Sequence, residues 1–145
     1  MDSYVKPIEI RWSDLDPNFH LRHSVYYDYG AFLRISFLEE HGLTVSFMAQ
    51  HHFGPILFRE ECVFRKEIRL GDRVSIDMQL LKTREDHSRW SIQHRILKNN
   101  EEVAAILTVE GAWIDVLKRK LTAPPDTVKH VFDKMPRSEQ FMWDK

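Results

Sequence analysis

Cysteine is almost missing from this chain. Cys62 is the only one among 145 residues, so no internal disulfide can form and no thiolate set exists for a structural metal. The eight histidines are scattered apart from the adjacent His51 and His52. Neither His-Glu-x-x-His nor Cys-x-x-Cys spacing occurs, which excludes a dedicated zinc site. An excess of one charge sign is also lacking. With a net charge of −1, bulk electrostatics gives no reason to expect nucleic acid or an anionic membrane as partner. No stretch approaches the roughly 20 apolar residues of a membrane span, and Met1 to Trp12 lack the cationic start and apolar run of an export signal. A cytoplasmic location is therefore expected. Internal repeats and linkers are absent as well, and the length suits a single domain over 1–145.

What remains is a globular composition, 43% hydrophobic and 30% charged. Tyr4, Ile8, Ile10 and Trp12 alternate as a first strand interrupted by Pro7, and Ser13 to Asn18 is turn chemistry. From Val25 to His41, Tyr26, Tyr29, Leu33 and Phe37 recur at helical spacing, widened by Val25, Phe32 and Leu38. Ser24 is placed to cap this helix and Gly42 to end it.

Beyond the helix the period changes to two. Gly54-Pro55 opens a strand from Ile56 to Ile68 with Ile56, Phe58, Glu60, Cys62, Phe64 and Ile68 on one face. Gly71-Asp72 turns into Val74, Ile76, Met78 and Leu80, and Glu85 to Ser88 reverses into Trp90, Ile92, His94 and Ile96. Asn99-Asn100 turns into a last strand from Glu102 to Leu117, apolar on both faces and hence central or at an oligomer contact. After Pro124-Pro125, Asp126 to Met135 suits a short helix before a polar tail. The expected class is α+β, one long helix against an antiparallel meander.

Arg11 to Tyr26, RWSDLDPNFHLRHSVY, resembles the signature of the 4-hydroxybenzoyl-CoA thioesterase family of the hotdog superfamily, Asp-x-Asp-x-x-Gly-His-x-Asn-Asn-x-x-Tyr. Asp14 and Asp16 match the paired aspartates, His20 the histidine and Tyr26 the aromatic residue opening the helix. Phe19 stands where the pattern has glycine and Arg22 where it has asparagine. Gly54-Pro55 and Leu70-Gly71-Asp72 extend the likeness.

The resemblance implies a hotdog fold and hydrolysis of an acyl-CoA to free acid and CoA. Asp16 would be general base or nucleophile, with helix N-terminal amides polarising the carbonyl. His23, seven residues on, would orient water or donate to the substrate. His20, Arg22, Ser24, Tyr26 and Glu60 are the expected substrate-binding residues, Arg22 as a partner for phosphate or carboxylate. No metal or prosthetic group is implied, CoA entering only with the substrate. A homodimer or homotetramer paired through sheet edges is implied, with each active site at a subunit interface.

Other readings of the same residues are hydrolysis of an acyl-carrier-protein thioester, a dehydratase, and a non-catalytic acyl or CoA-binding module motivated by Phe19 and Arg22. By residue chemistry alone Asp16 is a turn aspartate capping its own loop, and Asp14 holds the loop. Glu60, an acid on an apolar face, either lines the pocket or reaches water beside Glu61 through a bulge. His94 reads as a satisfied core histidine and Cys62 as a small buried hydrophobe.

Overall fold

A computed structural model describes residues 3–99 and 102–145. Its elements in order are β1 (Val5–Ile8), α1 (Val25–Glu40), α2 (Val45–Gln50), β2 (Phe53–Phe64), β3 (Val74–Asp77), β4 (Gln79–Thr83), β5 (Arg89–Lys98), β6 (Glu102–Asp115), β7 (Lys120–Leu121), α3 (Asp126–Asp133) and β8 (Arg137–Trp143). The sheet runs β2, β6, β5, then the pair β3 and β4, with β1 beside β3 and β8 beside β4. Every pairing is antiparallel except β4 with β8.

The α1 residues Val25, Tyr26, Gly30, Leu33, Phe37 and Leu38 are buried against this sheet. Phe32, expected to widen that stripe, points away and is exposed. Gly42 ends the helix with φ 84°, and the N–H groups of Gly42 and Leu43 bond back to the carbonyls of Glu39 and Leu38. That arrangement needs a left-handed residue, which glycine supplies without strain.

The inner sheet face is continuous: Val74 and Ile76 on β3, Leu80 on β4, Trp90, Ile92 and Ile96 on β5, and Leu107 and Val109 on β6 are all buried. Strand β6 is central, flanked by β2 and β5.

Several expected boundaries shift. The first strand stops at Ile8, and Trp12 opens a 3-10 turn instead of sharing a strand face. The Val74 to Leu80 strand breaks at Met78, where the backbone N–H bonds change neighbour: Met78 to the Tyr4 carbonyl, Leu80 to the Pro136 carbonyl. The strand expected over Ile56 to Ile68 runs Phe53–Phe64, and Phe58 is an extra residue in it, since Leu57 pairs with Gly111 and Arg59 with Glu110. This bulge reverses the alternation, so Phe58 faces outward.

The helix α2 was not expected, and the segment read as a polar tail forms β8. Of the Asn99-Asn100 turn, Asn99 has φ 45°, while Asn100 lies outside the described residues.

Candidate active site

The segment between β1 and α1 is built on Asp14. Its carboxylate is buried and accepts bonds from the Arg11 backbone N–H at 3.0 Å, the Arg11 guanidinium at 2.8 and 3.2 Å, and the Tyr29 hydroxyl at 3.2 Å. The bonds from the Arg11 guanidinium hold this carboxyl below the usual carboxylate range, against the opposing effect of burial. Burial and the Asp14 charge push the Tyr29 phenol upward in turn. Asp14, wholly buried, thus pins the loop to α1.

Asp16 is arranged differently. One carboxylate oxygen, Oδ1, accepts from the backbone N–H groups of Asn18 at 2.9 Å and His20 at 3.1 Å. That is the turn role residue chemistry alone suggests. The other oxygen, Oδ2, has no hydrogen bond among the described residues. The backbone closes a tight reversal, Phe19 N–H to Asp16 carbonyl at 3.0 Å and Asp16 N–H to His20 carbonyl at 2.8 Å, with Phe19 at φ 64°.

The glycine of the family pattern therefore corresponds here to a left-handed backbone position. Phe19 accepts that conformation and turns its ring to solvent, 62% exposed, against Trp12 at 6.1 Å between ring centroids. It does not line the Asp16 cleft.

The cleft itself is about 340 Å³ and is lined by Asp16, His20, Tyr26, Phe64, Arg65 and Lys66, among others. Tyr26 is buried, edge-on to Phe64 at 4.9 Å, and its phenol is pushed up to about 12, chiefly by burial, with the Cys62 and Asp16 charges adding to it. His20 points its Nε2 to Glu67 at 3.3 Å. His23 is exposed at the start of α1.

Ser24 sits at the helix boundary without capping it; its Oγ accepts from Arg22 Nη1 at 3.0 Å instead. Arg22 is thereby partly engaged, and the first turn of α1 keeps uncapped N–H groups.

Glu60 is not part of this cleft. The bulge at Phe58 leaves it opposite Val109 on the inner face, and its carboxylate lies 3.7 Å from Arg34 on α1. Glu61, on the opposite face, accepts from Arg59 at 2.9 Å, and both acids are exposed.

Arg34 also donates to Nε2 of His94 at 3.0 Å, and His94 Nδ1 lies 2.9 Å from the Asp77 carbonyl. His94 is fully buried with both ring nitrogens satisfied, and its pKa is pushed down to about 3, first by burial and then by the Arg34 cation. Arg34 stands in the wall of a second, apolar cavity of about 210 Å³ between α1, β2, β5 and α3. The sequence pattern missed it because a lone arginine at a helical position looks like solvent-facing charge. The available signal was the pair of polar residues, Glu60 and His94, each interrupting an apolar strand face.

Cys62 is half-buried and its thiol is pushed up to about 11 by burial, which opposes thiolate chemistry. Among the described residues no three His, Cys, Asp or Glu side chains converge on a metal site, and no helix is long and apolar enough to cross a membrane.

Residues 10–132 match the sequence model of a thioesterase-like superfamily. The chain belongs to the thioesterase-like superfamily. This makes it a thioester hydrolase, and solved structures give the same fold. The hydrolase is similar to a hypothetical protein from Staphylococcus aureus solved in complex with CoA, at 17% identity and TM-score 0.84 over 96% of this chain and 91% of that one.

It is similar to a DHNA-CoA thioesterase from Staphylococcus aureus, at 16% identity and TM-score 0.81 over 92% and 91%. It is also similar to a 1,4-dihydroxy-2-naphthoyl-CoA thioesterase from Synechocystis, at 13% identity and TM-score 0.81 over 92% and 97%. No curated protein matches the chain. The hydrolase therefore has the hotdog fold expected from its motif, a curled antiparallel sheet packed against one long helix.

Proposed function

We propose that this hydrolase cleaves acyl-CoA thioesters to free acid and CoA with Asp16 as the reacting carboxylate. The observation that carries the proposal is the division of labour within that side chain. Oδ1 is tied to two loop N–H groups, while Oδ2 stays open to a cleft at the uncapped start of α1.

Oδ2 takes a proton from water as it attacks the thioester carbonyl, or attacks directly to form an anhydride that water then opens. Negative charge on the carbonyl oxygen is met by first-turn N–H groups of α1, and the CoA thiolate leaves with a proton. His23 at the helix start orients water or donates to the substrate. His20, Arg22, Ser24 and Tyr26 shape the cleft wall and mouth, and the Arg65 and Lys66 cations at the cleft suit the phosphates of CoA.

Strand β2 supports a paired assembly. Among the described residues it hydrogen-bonds only to β6, and Leu57, Val63 and Phe64 are exposed along it. The Asp16 cleft lies at the Phe64 end of β2, and the apolar cavity at the Pro55 and Leu57 end. Those ends are roughly 25 Å apart at about 3.3 Å per residue. Antiparallel pairing of two β2 edges about a two-fold axis brings the cleft of one subunit beside the cavity of its partner.

The test is thiol release from a panel of aliphatic and aromatic acyl-CoAs, with an acyl-carrier-protein thioester included, by wild type and Asp16→Asn. Asparagine keeps an oxygen for the loop N–H groups, so folding is preserved while kcat falls by about 10²-fold or more. A wild type that releases no thiol, or a variant that keeps its rate on the best substrate, refutes the proposal.

A further inference from the structure

The second cavity has a chemical mismatch in its wall. Its lining is apolar, with Ala31, Ile35, Leu57, Trp113 and Phe132 prominent, yet two hydrogen-bond donors stand among them. Trp90 is 5% exposed, and its Nε1–H is the one buried side-chain nitrogen or oxygen without a partner among the described residues. The contrast with Trp113 is direct, since that indole, also in the wall, donates to the His87 carbonyl at 3.0 Å.

Arg34 is the other donor. Its side chain is 12% exposed, and against five N–H groups it has one short bond, to His94, and the more distant Glu60 carboxylate. A buried donor without an acceptor is costly, and a wall that holds one together with an arginine with N–H groups to spare is matched by a ligand that brings an oxygen.

The charge balance narrows what that oxygen belongs to. The Arg34 cation is already faced by Glu60, and His94 between Arg34 and the Asp77 carbonyl is neutral at physiological pH. A second carboxylate entering this apolar space would be a buried charge with no counter-charge of its own. An uncharged acceptor takes both donors at no such cost.

We infer that this cavity takes the distal part of the acyl group, and that it selects acyl groups with an uncharged oxygen there, a hydroxyl or keto group held by Trp90 Nε1–H and Arg34. This rests on the reading of the protein as an acyl-CoA hydrolase. Leu57, exposed on the open β2 edge, forms part of the cavity lining, so the space is approached from the side where the two-fold pairing sets the partner's cleft.

Matched thioesters test it: hexanoyl-CoA, 6-hydroxyhexanoyl-CoA and adipoyl-CoA, with the butanoyl and octanoyl counterparts. Each is titrated calorimetrically into Asp16→Asn, which retains the ligand intact, and turned over by wild type. At the best-fitting chain length the hydroxylated ligand binds about tenfold tighter than the plain one, because a site built to bond an oxygen rejects the analogue lacking it. Adipoyl-CoA does not exceed the hydroxylated ligand.

Adding Trp90→Phe, which keeps an aromatic ring and removes the N–H, brings the ratio of hydroxylated to plain ligand toward one. Equal binding of the two, tightest binding of adipoyl-CoA, or a ratio unchanged by Trp90→Phe overturns the inference. If the binding preference stands while wild type hydrolyses none of the thioesters, the hydrolase reading falls and the acceptor site remains.

Discussion

Arg34 Nη1 and His94 Nε2 are 3.0 Å apart, and this contact fixes the imidazole tautomer. A guanidinium only donates, so Nε2 accepts, the ring proton sits on Nδ1, and Nδ1–H donates to the Asp77 carbonyl at 2.9 Å. Gly30 gives the pair room: a Cβ there would lie 3.2 Å from both Arg34 Nη1 and His94 Cδ2. The helix tolerates a residue of poor helical propensity where side chains from α1 and β5 must meet.

The neutral state of His94 makes stability depend on pH. Its folded pKa lies near 3 against an ordinary 6.5, so below pH 6.5 the unfolded chain binds the extra proton. The contribution is complete above pH 6.5 and is lost as pH falls toward 3. Thermal unfolding from pH 8 to pH 4 should therefore show a steeper fall for wild type than for His94→Gln, whose amide can still accept from Arg34 and donate to Asp77. Parallel curves would mean that His94 is charged in the fold.

Asp14→Asn should destabilise the protein by about 2 kcal/mol, since it removes one side of a buried charge-assisted network and leaves Arg11 and Tyr29 short of an acceptor. The sign in pH follows from the lowered pKa: this stabilisation is present above the ordinary carboxylate range and lost on acidification. Urea unfolding at pH 7 and pH 3 measures both, and a difference between wild type and variant that persists at low pH would contradict it.

Phe19→Gly probes the left-handed turn. Glycine relieves about 1 kcal/mol of backbone strain, and losing the Trp12 contact together with a more flexible unfolded chain offsets it, so stability should change by less than about 1 kcal/mol. Because the ring lies outside the cleft, kcat/KM should stay within about twofold. A drop of tenfold or more would place the ring against the substrate.

Gly111→Ala should damage the fold. A Cβ there would sit 2.5 Å from Trp90 Cη2 and 2.6 Å from the Ile56 carbonyl oxygen, and the backbone atom cannot swing away. A loss of about 3 kcal/mol, at the upper end for overpacking, should appear in denaturant midpoints. Wild-type stability would show that Trp90 moves freely within its cavity wall.

Local signals carried the parts of the fold that the sequence discloses. Helix α1 is bounded by a run at helical spacing and by Gly42, and β5 alternates cleanly from Trp90 to Ile96 because a single face is buried. Strand β8 has no comparable signal, since its residues are mostly exposed and only β4 holds it. Helix α2 did carry one, Thr44, whose Oγ1 accepts from the Phe47 N–H at 3.0 Å.

The loop aspartates were legible through their motif. One extra residue in β2 turns Phe58 away from the face that Glu60, Cys62 and Phe64 share, and nothing in Phe58 announces a bulge. Arg34 and His94 were illegible as a pair, being 60 positions apart on different elements.

The edges of the sheet differ in kind. On one side β2 presents a single run of twelve residues; on the other, the border is divided between β1, four residues long with Pro7 in it and antiparallel to β3, and β8, which runs parallel to β4. A fibre grows only from a body that can be extended at two ends. This sheet offers one long seam, and a seam that matches itself is used up by a single encounter.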